Sequence, residues 1–372
     1  MTAWSRSNPA ERFRRARRWG LAGTLLAAAL AAGLGGCSTV GYYAQAVNGH
    51  MDLMQRARPV PEVIADPATP EPLRERLVLS QRMRDFAVAE LKLPEGPSYR
   101  RYADLGRNAV VWNVVAAPEL ALTLKTWCFP VVGCVGYRGY YSQARADALA
   151  AELRAQGYEV MVYGVPAYST LGKLEWMGGD PLLNTFVNGS EADLARLIFH
   201  ELTHQVVYVD DDTTFNESYA TAVERIGGRL WMERFSTPEA RDADAQRQRR
   251  SRAFREFTLR WRGELEALYR SAQPIEAKRV AKAALMQRMR ADYEAVKANP
   301  TSPLAGFAGY DGWFARANNA SFAVMGAYND FVPGFERLFE QAGRDFGRFH
   351  DEVRALAPLP RAERRARVGA PP

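Results

Sequence analysis

The segment His200-Glu201-Leu202-Thr203-His204 constrains this chain more than any other feature of its sequence. On an α-helix, positions i and i+4 lie on the same face, so the two imidazoles can reach one metal ion from adjacent turns. Glu201 is rotated by about 100° from His200 and lies beside such an ion, where a general base for a metal-bound water is needed. The segment therefore predicts a helix with His200 and His204 as metal ligands and Glu201 as a catalytic residue.

Chance is a poor explanation of this motif, because the chain has only four histidines. Apolar residues at 197–199 and 206–207 flank it, which predicts a mostly buried helix. Buried His and Glu side chains need partners or a metal ion to offset their desolvation. A metal site is the interpretation we favour, and a satisfied polar cluster in a helical core is the alternative.

A third ligand is needed, because a catalytic zinc ion takes three protein ligands and keeps one position for water. Asn216-Glu217 opens the next predicted helix, thirteen residues after His204. An antiparallel pair of helices would bring Glu217 back to the two histidines. The aspartates at 210–212 are nearer in sequence, but we expect them in a loop or at a helix N-terminus.

Glu224 follows Glu217 by two helical turns, on much the same face. This position predicts either a hydrogen-bond partner of a zinc-bound histidine or an ordinary surface charge.

Tyrosine is the residue type we expect to stabilise the negative charge that develops on a carbonyl oxygen during hydrolysis. The candidates are Tyr208, Tyr219 and Tyr328, each with a packing role as its alternative, and we select Tyr328 as the catalytic one. Asn318 and Asn319 precede it on a predicted helix. They are candidates for binding substrate backbone, with a helix cap as the alternative.

The N-terminus has the features of a bacterial export signal. Residues 12–18 (RFRRARR) are basic, and residues 21–36 (LAGTLLAAALAAGLGG) carry no charge. The apolar run has the length of a signal h-region and is short for a bilayer span of roughly 20 residues. It ends in Leu-Gly-Gly before Cys37, which resembles the bacterial lipobox. We predict a signal peptide over residues 1–36 and lipidation of Cys37, with an uncleaved membrane anchor as the alternative.

This leader implies a cell-envelope protein that is anchored in a membrane by lipid on Cys37 and faces the periplasm. Ser38 follows the cysteine, and in Gram-negative sorting a residue other than Asp there implies the outer membrane. The leader also accounts for most of the net charge of +7, since the rest of the chain has 43 basic and 41 acidic residues. We expect no nucleic-acid partner, because that would need a basic face on the folded domain.

Cys128 and Cys134 are the remaining cysteines. In an oxidising compartment we expect a disulfide between them, closing a small loop with a modest entropic contribution. A cysteine-based metal site is the alternative, and it would need further ligands close by.

The apolar patterns predict an α+β fold that is predominantly helical. We expect a helical N-terminal region at 37–105, a catalytic domain at 106–357 and a flexible tail at 358–372. Strands are predicted at 109–117 and 158–164, which are rich in β-branched and aromatic residues. Helices are predicted at 40–57, 70–93, 142–156, 190–207, 215–231, 237–271, 274–298, 313–329 and 333–356.

Two resemblances extend these predictions. The HExxH motif followed by Asn-Glu on the next helix is similar to the gluzincin arrangement of thermolysin-like peptidases, with a shorter spacing. Most of the chain after Cys37 resembles a family of bacterial lipoproteins named aminopeptidases, although KLEWMGG (173–179) departs from the family's usual loop. The residues that carry this resemblance are GYYAQAVNGHMDL (41–53), WCFPVVGCVGYRGY (127–140), GYEVMVYGVPAYSTLG (157–172), DPLLNT (180–185), FHELTHQVVYV (199–209) and FNESYATAVE (215–224).

The resemblance implies a gluzincin-like fold, one zinc ion per chain and hydrolysis of peptides, with aminopeptidase action taken from the family's name. The GxMEN motif, whose acid receives a substrate amino terminus in the large aminopeptidase family, is absent, and the aspartates at 210–212 are the candidate substitute. An alternative function is an envelope assembly or quality-control lipoprotein with a structural zinc site. The charged helices at 237–298 would then bind a protein partner. Hydrolysis of a cell-wall amide is a third hypothesis.

Overall fold

The computed structural model describes residues 41–129, 133–167, 169–170, 175–210, 212–325 and 331–369. The chain divides into two compact units, Met1–Asp52 and Leu53–Pro372. In the first unit, residues 41–52 are helical (α1). The predicted signal peptide and Cys37 lie outside the described residues. Within the described ranges, none of the helices combines the length and the apolar character that crossing a bilayer requires.

The second unit is predominantly helical with small sheets, which confirms the predicted α+β fold class. Apart from the first short strand, its strands lie in the sequence between the first long helix and the helix pair that carries the HExxH motif. Its elements are β1 (Arg58–Pro59), α2 (Val60–Ala65), α3 (Glu71–Ala89), β2 (Arg101–Ala103), β3 (Val111–Pro118), β4 (Trp127–Phe129), β5 (Gly133–Val135), β6 (Arg138–Tyr140), α4 (Gln143–Ala155), β7 (Tyr158–Val165), a 3₁₀ turn (Glu175–Met177), β8 (Leu182–Leu183), α5 (Glu191–Thr203), α6 (Thr213–Phe235), α7 (Pro238–Arg270), α8 (Ile275–Ala298), α9 (Asp311–Arg316), α10 (Asn319–Met325), α11 (Val332–Gln341), α12 (Phe346–Leu356) and α13 (Arg361–Gly369).

Strand β3 is the centre of the larger antiparallel sheet, whose order is β6-β3-β7. It pairs with β7 from Val111 opposite Val165 to Pro118 opposite Tyr158. Helices α4 and α10 both pack against β3 and β7. A strand covered in this way buries both of its faces, which is the reason that 109–117 reads as an almost unbroken apolar run.

Two smaller sheets complete the strand content of the described residues. In the first, β2 pairs antiparallel with β1 and parallel with β8. In the second, β4 and β5 form an antiparallel pair in which Cys128 stands opposite Cys134, and a disulfide joins the two sulfurs.

Helix α3 belongs to the same hydrophobic core as the HExxH helix. Its Phe86 ring lies 5.8 Å from Phe199 on α5 and 5.4 Å from Trp231 on α6, measured between ring centroids. Strand β2 pairs with β8, which comes much later in the chain. Residues 53–105 therefore bury their apolar side chains in the core that contains α5 and α6.

Two adjacent glycines on α6 bring α5 and α6 close together. A Cβ on Gly227 would lie 2.6 Å from Leu91 Cδ1 and 3.2 Å from Phe199 Cδ2. A Cβ on Gly228 would lie 2.7 Å from Cγ of Arg196 on α5. Helix α6 is continuous across both glycines, from Thr213 to Phe235. Their role is to allow close approach of the two helices.

The C-terminal segment also differs from its prediction. Helix α13 occupies Arg361–Gly369 inside the tail that was expected to be flexible, and it buries Arg364 and Val368. Two of its arginines, Arg364 and Arg365, form ion pairs with Asp212.

Candidate metal centre

Helix α5 presents the HExxH residues near its C-terminal end. Ser190 caps its N-terminus by accepting a hydrogen bond from the backbone N–H of Asp193 at 3.1 Å, as its position before the apolar run indicates. The helix ends at Thr203, earlier than the predicted residue 207, so His204 is its C-cap. The apolar residues of α5 are buried in the core, and α5 packs along α6.

The side chains of Asn216 and Asp212 hold the connection from α5 to α6. Asn216 Oδ1 accepts a hydrogen bond from Val209 N at 2.9 Å, and Asn216 Nδ2 donates one to Val209 O at 2.8 Å. Asp212 Oδ1 accepts from Phe215 N at 3.4 Å and caps α6. The chain thereby reverses over residues 204–212 and places Glu217, the residue after Asn216, beside the two histidines.

His200, His204 and Glu217 form a cluster in which one ligand atom from each lies within 4.8 Å of the others. His200 Nε2 is 3.3 Å from Glu217 Oε2, and His204 Nε2 is 3.7 Å from Glu217 Oε1. Two imidazole nitrogens and one carboxylate form a donor set that suits zinc in a catalytic site. The residues therefore fit a zinc ion. The structure brings together all three ligands that the sequence selected.

Glu224 orients one of the ligands. Its Oε2 lies 2.8 Å from His200 Nδ1. Because a carboxylate accepts, His200 donates from Nδ1, and Nε2 is the nitrogen that faces Glu217. This contact is the carboxylate–histidine pairing that supports zinc ligands in proteins. Of the two alternatives for Glu224, the structure gives the hydrogen-bond partner.

Burial and the contacts among the clustered side chains shift the pKa values of all three. Burial opposes the charged form of His200, but hydrogen bonds to Glu217 and Glu224 outweigh it and raise its pKa well above the usual value. Burial likewise opposes the ionised form of Glu217, yet its hydrogen bond with His200 and the charges of both histidines lower its pKa. For His204, burial dominates and lowers the pKa to about 4, so it is a neutral imidazole at pH 7.

Glu201 differs from the three candidate ligands in its contacts and in its pKa. It has no hydrogen-bond or ion-pair partner among the residues that the structure describes. Burial raises its pKa to about 7, with further contributions from the charges of Glu217, Asp180 and Glu224. A carboxylate with a pKa near neutrality is suited to accept and return a proton at that pH.

Asp180 is a buried acid near Glu201 that sequence reasoning missed. Ser98 Oγ accepts hydrogen bonds from Asp180 N at 3.2 Å and from Gln205 Nε2 at 3.0 Å, which ties Asp180 to the turn that follows α5. Asp180 Oδ2 accepts from Thr170 N at 2.9 Å. The segment DPLLNT carried the only signal in the sequence, and that signal was a family resemblance rather than a pattern.

The three tyrosine candidates have different surroundings. Tyr219 is fully buried, and its hydroxyl is 2.7 Å from His350 Nδ1, so it has a structural role. Tyr208 is partly exposed, and its ring centroid lies 6.1 Å from that of His204. Tyr328, the residue selected from the sequence, lies outside the described residues. Of the two candidates that the structure describes, Tyr208 is therefore the one that lies beside the cluster.

Asn318 and Asn319, the residues predicted to bind substrate backbone, make hydrogen bonds within the fold. Asn318 caps the start of α10 by accepting from Ser321 N at 3.2 Å and donates to Val160 O at 3.2 Å. Asn319 is fully buried, donates to Pro118 O at 2.9 Å and accepts from Tyr269 OH at 2.7 Å. Their polar atoms are used by the fold, so the helix cap was the correct alternative.

Of the aspartates at 210–212, Asp212 has its carboxylate occupied by other side chains. Asp212 is fully buried and its carboxylate is bound by Arg364 and Arg365. Asp210 is exposed in the loop, and residue 211 lies outside the described residues.

Residues 41–368, which include both helices of the cluster, match a protein-family model, and the match places the chain among peptidase-like proteins. The chain belongs to the family described as "Putative aminopeptidase". No curated protein and no solved structure matches it.

Proposed function

We propose that this protein is a zinc-dependent aminopeptidase that binds one zinc ion through His200, His204 and Glu217. The convergence of these three donors on one point, with Glu224 behind His200, carries the proposal. Family membership supports the peptidase class. Zinc in this position supplies Lewis acidity toward a carbonyl oxygen and toward water.

Glu201 acts as the general base and then as the general acid. It lies beside the ligands on α5 and is free of partners in the described part of the chain, so its carboxylate is available to water. It accepts the proton that water loses as it attacks the peptide carbonyl, and it delivers that proton to the leaving amine.

Tyr208 is the donor that we assign to the carbonyl oxygen. Its ring packs edge-on against His204, and burial together with the charge of Glu217 raises its pKa, so it keeps its proton at neutral pH. A hydroxyl that donates to the developing oxyanion contributes through charge stabilisation in the transition state.

Asp180 is the acid that we assign to the substrate's amino terminus. Among the acids whose charge acts on Glu201, it is the one that neither belongs to the ligand cluster nor contacts a ligand. A buried carboxylate with no cationic partner in the described ranges gains from a substrate ammonium group, because opposite charges attract strongly at low dielectric. This assignment makes the enzyme an exopeptidase.

The leader supports a cell-envelope location. The basic n-region, the uncharged run and the lipobox-like end before Cys37 favour a lipid-anchored protein that faces the periplasm at the outer membrane. We propose that the substrates are periplasmic peptides.

The first experiment is elemental analysis of the purified protein beside His204→Ala and Glu217→Gln. We expect about one zinc per chain in the wild type and a loss in both variants, with far-UV circular dichroism unchanged. Peptides with free and acetylated amino termini are then compared. Cleavage of free-amino peptides alone supports exopeptidase action, and cleavage of both would replace it with an endopeptidase. Absence of zinc from a folded wild type would contradict the proposed function.

A further inference from the structure

We propose that helix α13 is a clasp that positions the metal ligand Glu217 by holding the loop between α5 and α6, with Arg364 and Arg365 as its two positioning residues. This inference rests on the proposed zinc site. It concerns residues that the sequence placed in a flexible tail and that touch none of the three ligands.

The contact between α13 and the loop is made through Asp212. Arg364 donates to Asp212 Oδ2 from Nε at 3.1 Å and from Nη2 at 2.8 Å. Arg365 donates to Asp212 Oδ1 from Nε at 3.2 Å and from Nη2 at 2.6 Å. Each guanidinium therefore approaches the carboxylate with two donors, a geometry that fixes direction as well as distance.

Asp212 and Arg364 form their ion pair in the interior of the protein. The side chain of Asp212 is 0% exposed and that of Arg364 is 4% exposed. Burial opposes the charge of Asp212, but the hydrogen bonds from Arg365 and Arg364 outweigh it and lower its pKa. A carboxylate buried to this degree needs its cations, because removing them would leave an uncompensated charge in the interior.

Asp212 connects α13 to the first turn of α6, which leads to Glu217. The same Oδ1 that binds Arg365 also accepts from Phe215 N, so Asp212 caps α6. Phe215 lies in the first turn of α6, with Arg364 Cζ 5.3 Å from its ring centroid. Glu217 follows two residues later, so the direction of the first turn of α6 decides where its carboxylate lies.

The rest of α13 is docked independently of Asp212. Arg337 Nη2 on α11 donates to Val368 O at 3.3 Å, and Val368 is buried. Gly334 on α11 has no side chain where Val368 O approaches, since a Cβ there would lie 1.8 Å from that oxygen. Helix α13 is therefore held in place by α11. Its arginines can hold the loop between α5 and α6 because their own position does not depend on that loop.

The test compares the zinc dissociation constant of four folded proteins by competition with a chromogenic chelator. They are the wild type, Arg364→Ala/Arg365→Ala, Arg364→Lys and Lys282→Met. Lys282 on α8 is the control, because it forms a partly buried ion pair with Glu159 on β7 and belongs to neither α13 nor the loop. Circular dichroism and the melting temperature report folding.

We expect the double variant to bind zinc about 10–100-fold more weakly while remaining folded, as is typical when support behind a ligand is removed. Lys282→Met should lower the melting temperature without changing zinc affinity. Arg364→Lys keeps the charge but loses the two-donor geometry, so its affinity should fall between those of the wild type and the double variant.

Equal zinc affinity in the wild type and the double variant would overturn the clasp while leaving the zinc site intact. If the double variant does not fold, Arg364→Lys decides: weaker binding supports the clasp and unchanged binding overturns it. A wild type without zinc would overturn the proposed function and this inference together.

Discussion

Glu224 lies 2.8 Å from Nδ1 of His200, and this one contact determines which nitrogen of His200 faces Glu217. The two residues belong to different helices, α5 and α6, and the contact is possible because Gly227 and Gly228 let those helices approach closely. The same packing of α5 on α6 therefore serves both the core and the candidate metal centre.

Removing Glu224 should weaken zinc binding without removing a ligand. We expect Glu224→Ala to raise the zinc dissociation constant about 10–100-fold, because His200 loses the partner that fixes its tautomer. Glu224→Gln keeps an acceptor but no charge, so its effect should be smaller. Chelator competition measures both, and Glu233→Ala, an exposed position on the same helix, is the control. Wild-type affinity in Glu224→Ala would mean that the contact does not support a ligand.

Replacing the general base should separate catalysis from metal binding. We expect Glu201→Gln to lower kcat by about 100–10,000-fold, because the amide cannot accept a proton. Its zinc content should stay at the wild-type level, since Glu201 is not a ligand. Steady-state kinetics on a free-amino peptide and elemental analysis measure the two effects. A Glu201→Gln enzyme of normal kcat would assign the proton transfer to another residue.

The paired hydrogen bonds of Asn216 should matter to both stability and zinc. We expect Asn216→Ala to lower the free energy of unfolding by about 1–3 kcal/mol, because Val209 N–H and C=O lose their partner. It should also weaken zinc binding, since Glu217 is the next residue.

Asn184 is a matched control for Asn216. It accepts from Leu105 N at 2.9 Å and donates to Arg107 O at 3.0 Å, so it makes the same two kinds of bond at another place. Asn184→Ala should be destabilised to a similar degree in urea and keep its zinc affinity. Equal zinc affinities in the two variants would show that the loop does not position Glu217.

Substitution by alanine should have opposite effects on stability at Gly227, where α5 and α6 approach closely, and at Gly263 on α7. We expect Gly227→Ala to lower the free energy of unfolding by about 1–3 kcal/mol, because its Cβ overlaps with Leu91 and Phe199. A Cβ on Gly263 of α7 would meet no described atom within 4 Å, so Gly263→Ala should stabilise by about 0.5–1 kcal/mol. Urea unfolding of both variants checks this. A stabilised Gly227→Ala would contradict the packing.

We expect the buried His350 to make the protein less stable in mild acid than at neutral pH. Its Nε2 donates to Leu91 O at 2.8 Å and burial lowers its pKa to about 4, against an ordinary value of 6.5. The unfolded chain then binds a proton more readily than the folded one, so the contribution is complete above pH 6.5 and falls as the pH drops toward 4. Between pH 7 and pH 5 we expect a loss of about 2 kcal/mol from this residue.

The variant His350→Gln isolates that contribution. Urea unfolding of the metal-free protein at pH 7 and pH 5 should show a smaller loss in His350→Gln than in the wild type, because glutamine does not titrate. His204 is present in both proteins, so its titration cancels in the comparison. The same pH dependence in both would assign the effect to other groups.

The sequence by itself selected the three candidate ligands and the long elements. His200, His204 and Glu217 were found because helical periodicity puts i and i+4 on one face, and because an Asn-Glu pair opened the next apolar helix. The α+β fold class followed from strong apolar patterns at α5, α6 and β3, where local propensity and burial agree. Ser190 caps α5 for a local reason too, since a Ser hydroxyl just before an apolar helical run can accept from the first free N–H groups of the helix.

Tertiary structure alone decided which polar residues serve the site and which serve the fold. Asn318 and Asn319 looked like substrate contacts, but β7, β3 and α7 take up their polar atoms. Asp180 reaches the site through Ser98, which is 82 residues away in sequence. Arg364 reaches Asp212 across 152 residues. Periodicity reports only neighbours within a few turns, so the partner of a charged side chain that folds back from so far along the chain is fixed by packing and cannot be read locally.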